Sequence, residues 1–269
     1  MSTLTIAAWQ AAGYLDDREA NLQAINDAAA RATARGAELL VTPEMYLSGY
    51  NIPYERLLRQ STTDSVAEIA EIASAHGIAI LAGVPEFTDD GVFNTSLLVT
   101  PEGQRLMQHR KYQLFGELDR GLFLAGDHPV TTCIYRGVRL GTMICYDVEF
   151  PETVRAAALA GVEVLLVPTA QMEGFEHVND VVISARAWDN GLYLAYINRI
   201  GREEDLTYIG RSVMCDPKGR RVAEAAPGQV EDLLVYTVDT RIVAAARTTN
   251  PYLTDLRRIY EASPSLSAP

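Results

Sequence analysis

The sequence predicts an α/β, or layered α+β, fold in which helices cover sheets. Two observations predict it. Helical patterns alternate with short, near-continuous apolar strands, and one unit of that alternation is written twice. Arg31 to Glu44, RATARGAELLVTPE, is echoed by Ala157 to Thr169, AALAGVEVLLVPT, so that Gly36, Glu38 and Pro43 recur 125 residues later as Gly161, Glu163 and Pro168. HGIAILAG around Gly77 is echoed by NGLYLAYI around Gly191 at an offset of 114, and SLLVTPEG from Ser96 by SVMCDPKG from Ser212 at 116. One helix–glycine–strand junction resembles any other, but three in the same order at similar offsets indicate duplication. We therefore expect a single domain over 1–269, built as halves of about 1–125 and 126–245.

Each half reads as strand, helix, strand, helix, strand and a hairpin-like strand pair. Leu4 to Trp9 is the first strand, and Asn21 to Arg35 is a helix with Leu22, Ile25, Ala28 and Ala29 as its apolar positions, stopped by Gly36. Glu38 to Thr42 is a short apolar strand. Ser65 to His76 opens with the capping-box spacing Ser65-x-x-Glu68, carries Val66, Ile69 and Ile72 on one face and ends at Gly77. Ile78 to Val84 is the next strand. Asn94 to Val99 and Arg105 to His109 flank the turn Thr100-Pro101-Glu102-Gly103, in which proline presets the first central φ and glycine closes the turn. The second half repeats this order through about Asp239. Beyond it, RTTNPYLTDLRRIYEA reads as a loop and a short amphipathic helix with no place in either repeat, and PSLSAP as a frayed tail, so segment 246–269 is expected at an oligomer interface.

Composition narrows the function classes. With 269 residues, 48% of them hydrophobic and 22% charged, the chain can bury a large core. Lys and Arg number 23 against 35 Asp and Glu, and the net charge of −12 has the wrong sign for nucleic acid or an anionic membrane. The first residues lack a basic n-region, and the most apolar stretch, Ala156 to Ala170, is interrupted by Glu163 and too short for a bilayer, so a cytoplasmic location is expected. Cys133, Cys145 and Cys215 form an odd set without CxxC spacing, which suggests neither a disulfide framework nor a zinc site. His76, His109, His128 and His177 show no HxH or HxxxH pattern and read as surface or capping residues. An active site here is expected to work without imidazole and without a metal.

Three chemically capable residues follow strands: Glu44 after ELLVT, Lys111 after RLMQH and Cys145 after VRLGTMI. Open α/β sheets place ligands outside the carboxyl ends of their strands, so the three could converge. Each alone has an ordinary explanation. A lone cysteine is usually a small buried hydrophobe, and a lone glutamate or lysine a solvated charge. Cys145, however, sits where Tyr146-Asp147 break the apolar pattern and Pro151-Glu152 open a helix. A thiol is a poor nucleophile at neutral pH until a base takes its proton or a cation stabilises its thiolate. A glutamate of raised pKa can be that base, and a lysine can hold both thiolate and oxyanion, which suits acyl transfer.

PEMYLSGY at Pro43 to Tyr50, HRKYQLFGELDR at His109 to Arg120 and GTMICYDVEFPE at Gly141 to Glu152 resemble the signature segments of the nitrilase superfamily of carbon-nitrogen hydrolases. The resemblance continues through VPTAQ, SARAWDN and YINRIG. It implies a four-layer α-β-β-α sandwich with internal pseudo-two-fold symmetry, a homodimer or larger homo-oligomer, a small-molecule amide substrate and no cofactor. Carried over position by position, it implies Glu44 as general base, Lys111 as oxyanion-stabilising lysine and Cys145 as nucleophile. Glu117 matches the second glutamate, which orients the lysine and the substrate, and the Tyr146 backbone N–H would complete the oxyanion site. CYDVEFPE is similar to the amidase branch rather than to nitrilases. Together with FGELDR and YLTDLR it resembles 5-aminopentanamidases and stereoselective amidases. The implied reaction is hydrolysis of a small aliphatic carboxamide, such as an amino amide, through a Cys145 thioester. An N-carbamoyl amine hydrolase is the alternative enzyme, and an inactive binding or scaffold homologue the alternative outside catalysis. The stretch QMEGFEHVND follows the strand VEVLLVP and should reach the rim near Cys145. Tyr50, Ala170 and Glu173 are the candidate substrate-binding residues, with Glu173, Glu176 or Asp180 able to receive an ammonium, Phe175 a further candidate wall, and a solvated acidic loop the plain alternative.

Overall fold

Successive side chains of a strand point to opposite faces of its sheet, and this alternation accounts for the layers. In the computed structural model, which describes residues 2–226 and 228–256, there are two six-stranded mixed sheets. The first contains β1 (Thr3–Gln10), β2 (Leu39–Val41), β3 (Ala79–Thr88), β4 (Gly91–Val99), β5 (Arg105–Arg110) and β14 (Asp232–Asp239), in the order β14-β1-β2-β3-β4-β5. The second contains β6 (Thr131–Tyr135), β7 (Val138–Thr142), β8 (Val164–Pro168), β9 (Tyr193–Ile197), β12 (Val213–Cys215) and β13 (Arg221–Glu224), in the order β13-β12-β9-β8-β7-β6. A separate hairpin joins β10 (Ile200–Glu203) to β11 (Leu206–Ile209).

Leu4, Ile6 and Ala8 of β1, Leu39 and Val41 of β2, and Val164, Leu166, Tyr193, Ala195 and Ile197 of β8 and β9 share one buried cluster between the sheets. The alternate residues face outward. Ala7, Trp9 and Leu40 pack on the helices Arg18–Ala34 and Ser65–His76, and Leu165, Val167, Leu194 and Tyr196 pack on Pro151–Leu159 and Ile183–Asn190. The result is the expected four-layer α-β-β-α sandwich. Read from β5 to β14 and from β13 to β6, the two sheets show the same succession of two antiparallel, two parallel and one antiparallel pairings. The glycines of the second echo, Gly77 and Gly191, both end helices in the left-handed region, at φ of 64° and 56°.

The structure departs from the sequence reading at several ends. Helix Ser65–His76 is capped by Asp64, whose carboxylate accepts from the Val66 and Ala67 N–H groups, and Glu68 pairs with Arg18 instead of closing a capping box. The strand ending at Asp239 does not finish the second sheet: β14 crosses back and pairs with β1 over its whole length. It is followed by the helix Thr240–Thr249, whose Val243 enters the core between the sheets, and a short turn Tyr252–Asp255, whose Leu253 packs on the outer helical layer. The tail thus begins docked on its own chain, and the part from 257 onward lies outside the described residues. No helix among the described residues is long and apolar enough to cross a membrane.

Candidate active site

β2 ends at Val41, and the turn through Thr42-Pro43 delivers Glu44 into the interior, where it is fully buried. Its Oε1 accepts from Lys111 Nζ and from Asn94 Nδ2, both at 2.7 Å, while Oε2 has no hydrogen-bond partner. The main chain is pinned on both sides: Glu44 N–H donates to the Thr169 carbonyl at 3.3 Å, and Arg199 Nη1 donates to the Glu44 and Met45 carbonyls at 3.2 Å. Met45 takes a left-handed φ of 48°. The turn lies so close to β3 that a Cβ at Gly83 would stand 2.3 Å from the Pro43 oxygen and 2.8 Å from Glu44 Cα. Gly83→Ala is therefore expected to lower kcat at least about tenfold by displacing Glu44 and to cost about 1–3 kcal/mol of stability through overpacking. Unchanged kcat and Tm in this variant would show that β3 does not set the position of Glu44.

Lys111 leaves the end of β5 with its N–H on the Asn94 carbonyl at 2.8 Å, and its buried ammonium lies 2.7 Å from both Glu44 Oε1 and Asp119 Oδ2. Asp119 is held in turn by the Tyr50 hydroxyl at 2.7 Å and the Phe115 N–H at 2.8 Å. Burial works against the charged lysine, but Asp119 and Glu44 outweigh it and hold the ammonium well above its ordinary pKa. For Glu44 the balance runs the other way. Burial raises its pKa by more than Lys111 lowers it. Glu117, expected beside the lysine, is not there. Its side chain is 94% exposed and pairs with Arg120 at 3.2 Å. In the short helix Gly116–Arg120, residues 117 and 119 lie about 200° apart around the axis, so only one of them can face Lys111, and that one is Asp119.

Cys145 follows β7 after Met143-Ile144 and opens the 3-10 turn Cys145–Glu149 at a φ of 47°. For a non-glycine residue this conformation costs about 1–3 kcal/mol. The Asp147 carboxylate holds the turn. It accepts from the Ile144 N–H at 2.9 Å and from the Gln113 N–H at 2.6 Å, tying the cysteine turn to the segment that follows Lys111. His109 is neither on the surface nor a cap: it is buried, with Nε2 3.4 Å from Asp147 Oδ2. Cys145 is 9% exposed. Burial and then Glu44 push its thiol well above the ordinary range, and Lys111 offsets this only in part, so the sulfur rests protonated. Tyr146 is the second residue of the turn, a position where helical geometry supplies no carbonyl for the N–H.

Cys145 opens on a small, narrow cavity. Tyr50, Phe115, Met172 and Phe175 wall it, and Ala170 and Gln171 complete its floor. Tyr50 and Ala170 thus lie where the sequence suggested. Glu173 does not: it is exposed, with its N–H on the Thr207 carbonyl at 3.0 Å, and the acidic residue that lines the cavity is Glu149. A larger groove along β5 touches none of Cys145, Glu44 and Lys111.

The carbon-nitrogen hydrolase family matches this chain over residues 5–248, a span that holds every residue of the site. The protein belongs to the carbon-nitrogen hydrolases of the nitrilase superfamily. A Pseudomonas protegens relative, described as a hydrolase in the pqqF 5′ region, is 43% identical over 261 residues, which cover 96% of this chain and 90% of the relative. An (R)-stereoselective amidase of a Pseudomonas species is 36% identical over 251 residues, covering 92% and 89%. The structure of a nitrilase-superfamily amidase from Nesterenkonia AN1 superposes with a TM-score of 0.86 at 35% identity, covering 95% of each chain. This carbon-nitrogen hydrolase is an amidase-type enzyme with Cys145 at the catalytic position.

Several residues around the site of this hydrolase carried weak sequence signals. Asn94 is a polar residue inside the buried strand GVFNTSLLV, where an amide must have a buried partner. Glu203, also buried, accepts from the Tyr208 hydroxyl at 2.6 Å and from the Tyr50 and Asn51 N–H groups at 2.9 Å, and pairs with Arg199. Burial raises its pKa, but Arg199 and the Tyr208 hydroxyl outweigh it and leave the carboxyl below the ordinary value. This network braces both Tyr50 and the Glu44 main chain.

Proposed function

We propose that the enzyme hydrolyses small aliphatic carboxamides to the acid and ammonia through a thioester on Cys145. The observation that carries the reading is the unpartnered Glu44 Oε2 in a carboxylate whose other oxygen is already taken by Lys111 and Asn94. Oε2 is free to accept the thiol proton as Sγ attacks the amide carbon. An ammonium has three donors, and two of those on Lys111 are engaged by Glu44 and Asp119. The third, with the Tyr146 N–H, is assigned to the oxyanion. Collapse of the tetrahedral adduct breaks the C–N bond, and the proton held by Glu44 passes to the departing nitrogen, which leaves as ammonia. Water then gives a proton to Glu44 and attacks the thioester carbon, and the sulfur recovers its proton as the acid departs. The small, mostly apolar cavity supports a short acyl group.

The test is ammonia release from a panel of n-alkyl amides, an N-carbamoyl amine and an aliphatic nitrile. Turnover of the short amides, with the nitrile inert, is the expected result. Preference for the carbamoyl compound would move the assignment to the alternative hydrolase.

A further inference from the structure

We propose that Asp147, oriented by His109, is a positioning residue for the oxyanion site: its carboxylate fixes the Tyr146 N–H relative to the Lys111 ammonium, so that both donors meet one oxygen. This rests on the thioester chemistry proposed above. Lys111 stands at the end of β5 in the first sheet, and Tyr146 follows β7 in the second. Both donors must nevertheless come within about 2.7–3.1 Å of the same atom. Among the described residues no main-chain hydrogen bond joins segment 109–113 to segment 143–149, so a side chain has to set their spacing.

The Asp147 carboxylate makes that join. Its Oδ1 accepts from the Gln113 N–H at 2.6 Å, two residues past Lys111, and its Oδ2 from the Ile144 N–H at 2.9 Å, two residues before Tyr146. The Tyr112 N–H and His109 Nε2 approach Oδ2 at 3.5 and 3.4 Å. Because the carboxylate is fully buried, these donors are what compensate its charge, and a group that both segments must satisfy holds them at one distance. The Asp147 main chain is fixed in turn, its carbonyl accepting from the hydroxyl of Thr153 in helix Pro151–Leu159. The left-handed φ of Cys145 persists only where its surroundings impose it, and the Ile144–Asp147 bond closes the turn around it.

His109 gives the carboxylate its direction. The buried ring has Nδ1 3.2 Å from the hydroxyl of Thr131 in β6 and Nε2 on Asp147 Oδ2. One neutral tautomer satisfies both contacts, with Nε2 donating to Asp147 and Nδ1 accepting from Thr131. The ring therefore braces Asp147 against the edge strand of the second sheet, while its own backbone belongs to the first.

The test measures kcat and KM for a short amide, and the rate at which methyl methanethiosulfonate blocks Cys145, in the wild type, Asp147→Asn, His109→Leu and His109→Gln. In the blocking reaction the sulfur gives up its proton and forms a mixed disulfide as methanesulfinate leaves, so no carbonyl oxyanion arises. An asparagine presents an N–H where one of the two main-chain donors now binds. Asp147→Asn is therefore expected to lower kcat about a hundredfold, with KM and the blocking rate each within about threefold of the wild type. His109→Leu should lower kcat about tenfold, and His109→Gln, which keeps a donor for Asp147, should restore most of it. Wild-type kcat in Asp147→Asn would overturn the inference. So would a blocking rate that falls as far as kcat, because Asp147 would then act on the sulfur and not on the oxyanion site. Should Asp147→Asn not fold, the His109 pair decides, and equal kcat in His109→Leu and His109→Gln would overturn the clamp while leaving amide hydrolysis standing. A wild type inactive on every short amide would remove both.

Discussion

Cys145→Ser is expected to lower kcat for amide hydrolysis by at least about a thousandfold while Tm moves by only a few degrees. The replacement leaves Glu44, Lys111 and the cavity in place, but a serine hydroxyl is far harder to deprotonate than a thiol. A glutamate cannot remove that proton without help. The resting sulfur is already held as the neutral thiol by burial and by Glu44. Removing its acidity therefore costs nothing in the ground state and acts on the attack step. Steady-state kinetics and thermal unfolding of the same preparation check this. Activity within tenfold of the wild type would remove Cys145 as the nucleophile.

Lys111→Met should abolish activity and also destabilise the protein by about 3–5 kcal/mol, because it leaves two buried carboxylates, Glu44 and Asp119, without the ammonium that both contact at 2.7 Å. The loss should depend on pH. In the wild type Glu44 already lies above its ordinary value, and removing the cation raises it further. A carboxyl with a raised folded-state pKa binds more protons folded than unfolded, so its penalty is small below the unfolded pKa and grows as pH rises towards the folded one. The stability gap between variant and wild type should thus widen from about pH 4 to neutral pH, which urea unfolding across that range will show. A gap that stays constant would mean that the carboxylates are hydrated or otherwise neutralised.

The parts of this molecule that were legible in its sequence are those fixed by local pattern. Apolar runs bounded by glycine and proline located the strands after which Glu44, Lys111 and Cys145 stand, and the ordered echoes anticipated the matched pairing of the two sheets. What escaped depends on contacts distant in the chain. Glu117 and Asp119 are two residues apart in a five-residue helix, and nothing local says which side meets Lys111. His109 looked superficial because its partner Asp147 is 38 residues away. Glu173 seemed the natural cation receptor because its loop follows β8, yet that loop turns it to solvent while the 3-10 turn after Cys145 carries Glu149 to the cavity wall. The return of β14 to β1 was hidden for the same reason, since an antiparallel edge strand carries no address for the strand it joins.

Acyl transfer through Cys145 is tested by intact and peptide mass spectrometry of enzyme quenched in acid during turnover of a short amide. A population heavier by the acyl group less one hydrogen is expected, located on the peptide containing Cys145 and absent from Cys145→Ser. Rapid turnover with no adduct at any quench time, or an adduct on Cys133 or Cys215, would contradict it.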